Sequence, residues 1–286
     1  MTMQNKFIYP ADGLVARFLN AIANSRVLTS TRRAIFSRLP FMQLESDVHE
    51  VVYLNWVIPA ELARTATPDG VQLWNHDNRT ILTVLTYRHG HFGPSFAKKL
   101  RRVFPSPLQS NWRFYVSKIG SEAPALKTVL FIKNIFDSTV YSLGSRIFSD
   151  ALPSHVAKEF THVRQGSEYV TQIESGIGSA PSFQSLARTS ENQILPVEFE
   201  LFFSNWSDAI AQLSQQDSAI CQVEGTHQIA QAGIDLPIDL SSVIPLESVE
   251  FTAGEYLQSL GVTGKPFCFA VPSVKFKVLW EKVLNS

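Results

Sequence analysis

Three polar side chains that together suit carboxylate binding alternate along one predicted strand. Asn111, Arg113 and Tyr115 stand at positions i, i+2 and i+4, and this spacing places them on one face of a strand. A guanidinium beside an amide and a phenol makes a clamp for a carboxylate. The alternate positions are more apolar and predict a core-facing side, so the polar side faces either a polar pocket or water. The periodicity leaves both alternatives open.

A second group of candidate residues surrounds a Leu-Pro step. Arg146 lies on the apolar side of a predicted helix, where a cation needs a partner and most often has a structural role. Ser154 and His155 directly follow Leu152-Pro153. An imidazole titrates near neutral pH and suits proton transfer, although a histidine after a helix is more often a surface or capping residue. His155 is the candidate acid–base group, and Arg146 and Ser154 are candidate ligand-binding residues.

Other common site chemistries lack their signatures in this sequence. His89 and His91 precede a cluster of lysines and arginines that would repel a divalent cation, and no carboxylate stands beside them at ligand spacing. We therefore predict no metal site. The chain has no G-x-S-x-G, no G-x-G-x-x-G and no P-loop, so we also predict no cofactor. The glycine-containing stretch 175–182 predicts a flexible turn.

Composition predicts a globular cytoplasmic protein with a sizeable core. Apolar residues make up 45% of the chain, charged residues 17%, and the formal net charge is zero. A nucleic-acid-binding protein usually has a basic excess, so we expect no nucleic-acid partner. Cys221 and Cys268 lack the spacing of a zinc site or of a disulfide scaffold, which favours reduced thiols in the cytosol. The sequence shows neither a long apolar run nor a secretory signal.

The first 43 residues form a basic leader with a balance of six cations to one anion. The cations are Lys6, Arg17, Arg26, Arg32, Arg33 and Arg38, and the anion is Asp12. Leu14, Val15, Phe18, Leu19 and Ile22 fall on one face of a predicted helix. Three interpretations compete, in this order: a helix packed on the main domain, an amphipathic helix on a membrane surface and an organelle transit peptide. We divide the chain into an extension, 1–45, and a single domain, 46–286.

Short strands interrupted by a few helices dominate the rest of the chain. Strands are predicted at 49–58, 71–74, 80–88, 112–117, 128–134, 196–203, 249–252 and 274–278. Helices are predicted at 60–64, 138–149, 205–214 and 254–260. This arrangement predicts an α+β fold with a curved sheet or barrel and helices packed on it, and it differs from the regular alternation of a parallel α/β stack.

The order of several motifs resembles the uncharacterised YqjF-like family, which is allied to acetoacetate decarboxylase. The motifs are VVYLNWVIPAELARTATPDGVQLW at 51–74, the N-x-R-x-Y-V pattern at 111–116, the helix with Arg146 before Leu152-Pro153, and Ile244-Pro245-Leu246 near the end. The resemblance spans about residues 48–280. It implies a curved antiparallel or mixed β-barrel with a few flanking helices and a buried pocket for a small organic acid or carbonyl compound.

The resemblance also indicates a missing lysine. In the decarboxylases a lysine of lowered pKa follows the step that matches Leu152-Pro153 and forms a Schiff base with a β-keto acid. Ser154 and His155 occupy those positions here and cannot form a stable imine. The leading hypothesis is therefore ligand binding without a Schiff base. The alternatives are a noncatalytic scaffold that docks on a membrane through residues 1–43, and a lyase that uses a displaced lysine such as Lys133 or Lys158. The sequence leaves open whether the chain is an enzyme, and also whether it forms a homo-oligomer.

Overall fold

A sheet of fourteen strands dominates the computed structural model, which describes residues 5–36 and 40–284. The strands in these ranges are β1 Leu44–Pro59, β2 Val71–Leu73, β3 Asn75–His76, β4 Arg79–Pro94, β5 Leu108–Ile119, β6 Thr128–Phe136, β7 His155–Val156, β8 Glu159–Gln165, β9 Glu168–Glu174, β10 Phe183–Thr189, β11 Ser218–Gln222, β12 Ile229–Asp235, β13 Ile244–Ala253 and β14 Phe267–Leu284. The α-helices are α1 Leu14–Ala23, α2 Arg26–Phe36, α3 Ala60–Ala63, α4 Thr139–Phe148, α5 Trp206–Ser214 and α6 Glu255–Ser259. The chain is thus mixed α+β, rich in strands and poor in helices, as the sequence predicts.

Seven of the described strands form a continuous ring of hydrogen-bonded neighbours. Their order is β1-β4-β5-β6-β11-β12-β14, and β14 pairs again with β1. The pairing of β6 with β11 is parallel, whereas the other pairings in the ring are antiparallel. Strands β13, β10, β9 and β8 continue from β14 as an antiparallel second layer.

The two faces of the ring lie in two different hydrophobic cores. Side chains alternate along a strand, so neighbours such as Tyr53 and Leu54 of β1 point to opposite faces. Leu54 and Trp112 belong to a core that is covered by residues of β9 and β10. Tyr53 belongs to a second core, which is covered by α5 and by the segment that precedes it. Where both faces are covered, a polar side chain on the sheet, such as Asn55 or Arg113, is placed inside the protein.

The segment that precedes α5 differs from its sequence prediction. Residues 196–203 predict a strand, but the structure has a short 3-10 helix at Val197–Phe199 and no strand pairing there. Phe199 and Phe203 are buried in the core beneath α5. Packing of these rings therefore overrides the local preference of an aromatic stretch for extended structure.

The basic leader lies against α4, but with an orientation that the periodicity does not predict. Arg32 and Arg33 of α2 form ion pairs with Asp150 at 2.6 and 2.7 Å. The small residues Ala16 and Ala23 are the buried residues of α1, whereas its apolar stripe is exposed at Leu14, Val15 and Phe18. Arg38 falls outside the described residues. Among the helices of the described ranges, none is long and apolar enough to cross a bilayer.

Candidate functional site

Asn111, Arg113 and Tyr115 of β5 share one buried face of the sheet. Their exposed fractions are 7%, 2% and 5%, so this face meets the protein interior and not water. Arg113 Nη2 donates to the carbonyl oxygen of Leu213 at 2.7 Å, and the Tyr115 hydroxyl donates to the same oxygen at 3.0 Å. Asn111 Nδ2 donates to the Tyr87 hydroxyl at 3.1 Å. The polar side of the strand thus holds the C-terminal end of α5.

Within ranges 5–36 and 40–284, aromatic rings and a carbonyl oxygen, and no carboxylate, compensate the charge of Arg113. The guanidinium lies 5.6 Å from the ring centre of Tyr53 and 5.7 Å from that of Tyr115, which are favourable cation–π distances. The carbonyl at the end of α5 adds the negative pole of the helix. One buried nitrogen, Arg113 Nε, has no hydrogen-bond partner among the described residues. These contacts favour a structural role, and the predicted carboxylate clamp stays a prediction.

His89 and His91, whose spacing raised the question of a metal, occupy different environments. His89 is fully buried, and its ring nitrogens contact Ser46 Oγ at 2.8 Å and Gln109 Oε1 at 2.6 Å. Burial lowers the pKa of His89 to about 4, so its imidazole is neutral at pH 7. His91 is only partly buried, and its ring nitrogen lies near the carbonyl oxygen of Phe104. The two side chains therefore have separate partners.

A second polar cluster forms where β6, β7, α4 and the N-terminal segment meet. Lys133 of β6 and His155 of β7 approach each other, with 3.5 Å between Lys133 Nζ and His155 Nε2. Both nitrogens lie 3.2 Å from one oxygen, the side-chain carbonyl Oδ1 of Asn5. Sequence reasoning named Lys133 only as a possible displaced lysine and missed Asn5, because nothing in the sequence places residues 5, 133 and 155 together.

A one-residue bulge in β6 directs Lys133 into this cluster. Arg113 of β5 pairs with Phe131, but the preceding residue Trp112 pairs with Lys133, so Ile132 is an extra residue on β6. Phe131 packs in the core beneath α5, whereas Trp112 lies in the opposite core. Paired residues share a face of the sheet, and strict alternation would have placed Lys133 on the face of Phe131. The bulge therefore moves the lysine to the face where His155 lies.

Burial and positive neighbours hold the cluster in an unusual protonation state. Burial, reinforced by the charge of Arg146, lowers the pKa of Lys133 from 10.5 to about 8. Burial, together with Lys133 and Arg146, lowers the pKa of His155 well below its ordinary value. At neutral pH the imidazole is neutral, and a sizeable fraction of the lysine is an uncharged amine. Lys133 also lies 5.4 Å from the ring centre of Tyr256.

One arrangement of protons satisfies the contacts of His155. Its Nδ1 lies 2.7 Å from the hydroxyl oxygen of Ser179, so that hydroxyl can donate to Nδ1. Nε2 then carries the ring proton and donates to Asn5 Oδ1, which also accepts from Lys133. In this arrangement two donors converge on a single carbonyl oxygen.

Arg146 joins the cluster to the N-terminal segment. Its guanidinium forms an ion pair with Glu224. It also donates to the backbone carbonyl oxygens of Asn5 at 2.8 Å, Ser154 at 3.2 Å and Ala23 at 3.3 Å. The charge lies at the wall of the cluster, where it lowers the pKa of Lys133. Ser154 offers the cluster its backbone carbonyl, while its hydroxyl donates to Leu152 O at 3.2 Å.

The glycine-containing stretch 175–182 forms the seat of the N-terminal segment. Ser179 N donates to Ile8 O at 3.0 Å, and Ile8 N donates to Ser179 Oγ at 2.9 Å. A Cβ atom at Gly178 would lie 2.9 Å from Pro10 Cα and 3.0 Å from Ile8 O, so a larger residue would displace the segment. Phe7 is fully buried beside it. The stretch is thus a docking surface for residues 5–10, where the sequence predicted only a turn.

Lys158, the other candidate for a displaced lysine, lies at the surface. Its side chain is 55% exposed, and its nearest charged partner is Glu159 at 3.8 Å. Of the two, Lys133 has the environment that an imine-forming lysine needs.

Solved structures with a similar fold include an acetoacetate decarboxylase and an acetoacetate decarboxylase-like enzyme. The enduracididine biosynthesis enzyme MppR complexed with pyruvate matches with a TM-score of 0.58 at 9% identity, covering 86% of this chain and 91% of that chain. Acetoacetate decarboxylase from Legionella pneumophila matches with a TM-score of 0.55 at 9% identity, covering 84% and 87%. An acetoacetate decarboxylase-like enzyme from Sphingomonas wittichii RW1 matches with a TM-score of 0.58 at 8% identity, covering 87% and 95%.

No protein-family model matches this chain, and no curated protein is significantly similar to it. At 8–9% identity the structural matches show the fold alone. The strand-rich α+β fold of this chain is therefore similar to that of the acetoacetate decarboxylase-like enzymes.

Proposed function

We propose that this chain binds a small oxo acid as an imine on Lys133, with His155 assisting at the carbonyl oxygen. The observation that carries the proposal is the convergence of Lys133 Nζ and His155 Nε2 on one carbonyl oxygen, each at 3.2 Å. The structural matches include MppR in complex with pyruvate and an acetoacetate decarboxylase. Pyruvate and acetoacetate are both small oxo acids, which supports this class of ligand.

The lowered pKa of Lys133 makes the amine available for attack. With a pKa of about 8, roughly a tenth of the amine is uncharged at pH 7, against less than about a thousandth at the ordinary value. The amine attacks the carbonyl carbon and a C–N bond forms while the C=O π electrons move to oxygen. The neutral His155 N–H stabilises the negative charge on that oxygen. Two protons of the nitrogen then pass to the oxygen, water leaves, and the imine remains.

The proposal selects one of the alternatives that the sequence left open. Ser154 and His155 occupy the positions that resemble those of the decarboxylase lysine, and Lys133 would supply the amine from the neighbouring strand. Kinship with the YqjF-like family is part of the same proposal and rests on the order of motifs. Asn111 and Tyr115 are bonded to Tyr87 and to the end of α5 inside the core, whereas the donors of the Lys133 cluster meet the N-terminal segment at Asn5, so the Lys133 cluster is the better supported site.

Borohydride trapping tests the proposal. The full-length protein is incubated with pyruvate or acetoacetate, reduced with cyanoborohydride, and examined by intact mass and peptide mapping. We expect one adduct at Lys133 in the wild type and in the control variant Lys158→Arg, and none in Lys133→Arg. Absence of an adduct in the wild type, or an equal yield in Lys133→Arg, would contradict the proposal.

A second candidate function is docking on an anionic membrane surface. Leu14, Val15 and Phe18 form an exposed apolar stripe on α1. The 3-10 segment Ser95–Val103 exposes Phe96 and Leu100 beside Lys98, Lys99 and Arg102. Helix α4 contacts α1, and its Tyr141 hydroxyl donates to the carbonyl oxygen of Phe92, three residues before the 3-10 segment. Exposed apolar groups flanked by cations are typical of proteins that bind lipid surfaces.

Liposome flotation of the full-length chain tests this second candidate. Vesicles with and without phosphatidylserine are compared for the wild type and for the double variant Val15→Asp, Phe18→Asp. We expect the wild type to float only with the anionic vesicles and the variant to lose most of that binding. Equal flotation of the two proteins would rule out α1 as the docking element.

A further inference from the structure

Asn5 occupies the Lys133 cluster in the way that a ligand would. Its side-chain oxygen accepts from Lys133 and His155, and its backbone oxygen accepts from Arg146 Nη2 at 2.8 Å. Its amide nitrogen lies 4.0 Å from the thiol of Cys221, which fixes the side-chain oxygen toward the lysine. The three donors belong to residues no more than 8% exposed. The donors are therefore built into the core, whereas the acceptors belong to a terminal segment.

The number of bonds between the two carbonyl carbons of Asn5 indicates how far apart these donors are. The side-chain carbonyl carbon of Asn5 is Cγ, the backbone carbonyl carbon is C, and Cβ and Cα stand between them. The two carbonyl carbons are therefore in a 1,4 relation. In a 2-oxo acid the corresponding carbons are joined by one bond of about 1.5 Å, so such an acid spans a shorter distance between the two groups of donors than Asn5 does.

The charges of the cluster favour an anion over the neutral Asn5. Lys133 and Arg146 are cationic, and Glu224 is the carboxylate that pairs with Arg146. Burial raises the pKa of the Cys221 thiol to about 12, so that group adds no negative charge at pH 7. A carboxylate in the place of the Asn5 backbone carbonyl would form a charge-assisted hydrogen bond with Arg146. The same position is held by an uncharged acceptor in the present structure.

We propose that Asn5 is an internal stand-in for the substrate, and that the site takes a 4-oxo carboxylate. The oxo group lies at Lys133 and His155, the carboxylate lies at Arg146, and the ligand displaces Asn5 on binding. This inference rests on the proposed imine function for its reactive end, but the spacing of the two oxygen-bearing carbons follows from Asn5 alone. Because Asn5 competes from within the same chain, loss of its side chain strengthens ligand binding.

Two series of probe compounds test the spacing between the oxo and carboxylate carbons independently of imine formation. The first series is covalent and consists of pyruvate, acetoacetate, 4-oxopentanoate and 5-oxohexanoate at equal concentration, with cyanoborohydride and peptide mapping of Lys133. The second is noncovalent and compares succinamate, which carries an amide carbonyl and a carboxylate in the 1,4 relation, with malonamate and glutaramate. Its readout is the shift of the melting temperature of the full-length protein.

We expect the highest adduct yield with 4-oxopentanoate and the largest thermal shift with succinamate. In Asn5→Ala, where the hydrogen bonds from Lys133 and His155 to the competing side chain are both lost, both probes should bind roughly thirtyfold more tightly. A yield that peaks with pyruvate or acetoacetate at Lys133 would overturn the spacing while the imine function stands. A thermal shift that peaks with succinamate, without any Lys133 adduct, would retain the spacing and overturn the imine function. Equal shifts with all three amides would overturn the inference.

Discussion

Replacing Lys133 with methionine removes the buried amine and keeps an apolar chain of similar length. Lys133 has a pKa of about 8 in the folded protein, against the ordinary value of 10.5 in the unfolded chain. Between these pH values the unfolded chain therefore binds more protons than the folded protein. The wild type therefore gains stability as the pH rises through this window. Lys133→Met has no such gain, because it carries no proton at this position.

The expected magnitude follows from the two pKa values. At pH 7 the ionised lysine lowers the folding stability of the wild type by roughly 3 kcal/mol, and at pH 9.5 the same cost is about 1 kcal/mol. The variant also loses packing, the hydrogen bond to Asn5 and the contact with Tyr256. These losses lower its unfolding free energy by a constant amount at both pH values. The difference in unfolding free energy, variant minus wild type, should therefore fall by about 2 kcal/mol between pH 7 and pH 9.5.

Urea denaturation at both pH values measures this difference for the wild type, Lys133→Met and the control Lys158→Met. Other groups titrate in all three proteins and cancel in the comparison. The control Lys158→Met removes a lysine whose side chain is 55% exposed, so a fall of the same size in that variant would show that burial of Lys133 is not the cause. If Lys133→Met differs from the wild type by a constant amount, the lysine is not desolvated and the reasoning about its reactivity fails with it.

Three further outcomes are expected. The rate of borohydride-trapped imine formation should rise with pH and level off above the Lys133 pKa of about 8; a midpoint near 10 would contradict a lowered pKa. Gly178→Ala should displace the N-terminal segment, which raises both the hydrogen exchange of that segment and the rate of imine trapping. The control Gly144→Ala, whose Cβ would meet no atom within 4 Å, should leave the exchange and the trapping rate unchanged. Asp150→Asn should increase hydrogen exchange in residues 26–36 at pH 7. The wild type should show the same increase only below the ordinary pKa of an aspartate, because its arginine partners lower the pKa of Asp150. Unchanged exchange in the variant would show that the ion pairs do not hold α2.

Much of the element order is predictable because it depends on local chemistry. Alternating β-branched and aromatic residues predict β1 and β5, and the helix after Asn205 begins where its side chain accepts from Asp208 N. The second layer is harder to predict, since β9 and β10 bury only every other residue, β8 buries only His162, and their polar positions resemble loops. Residues 196–203 are wrong in the sequence prediction, because two phenylalanine rings fold the segment back into the core beneath α5.

The candidate site shows the same division between local and nonlocal information. Residue type and spacing were sufficient to place Asn111, Arg113 and Tyr115 on one face of a strand and to single out His155. They could not decide whether that face met water, because the answer depends on α5, about a hundred residues farther along the chain.

By itself, the sequence determined the mixed fold, the shared face of the polar strand and the absence of a lysine after Leu152-Pro153. Only the tertiary structure decided that Lys133 meets His155. A bulge set by pairing with β5 turns the lysine to the other face, and parallel pairing of β7 with β6 brings the histidine beside it. Asn5 reaches them from a distant part of the chain. Strand register and the closure of the seven-stranded ring depend on many weak contacts between residues far apart in the sequence. No local pattern in the sequence therefore predicts them.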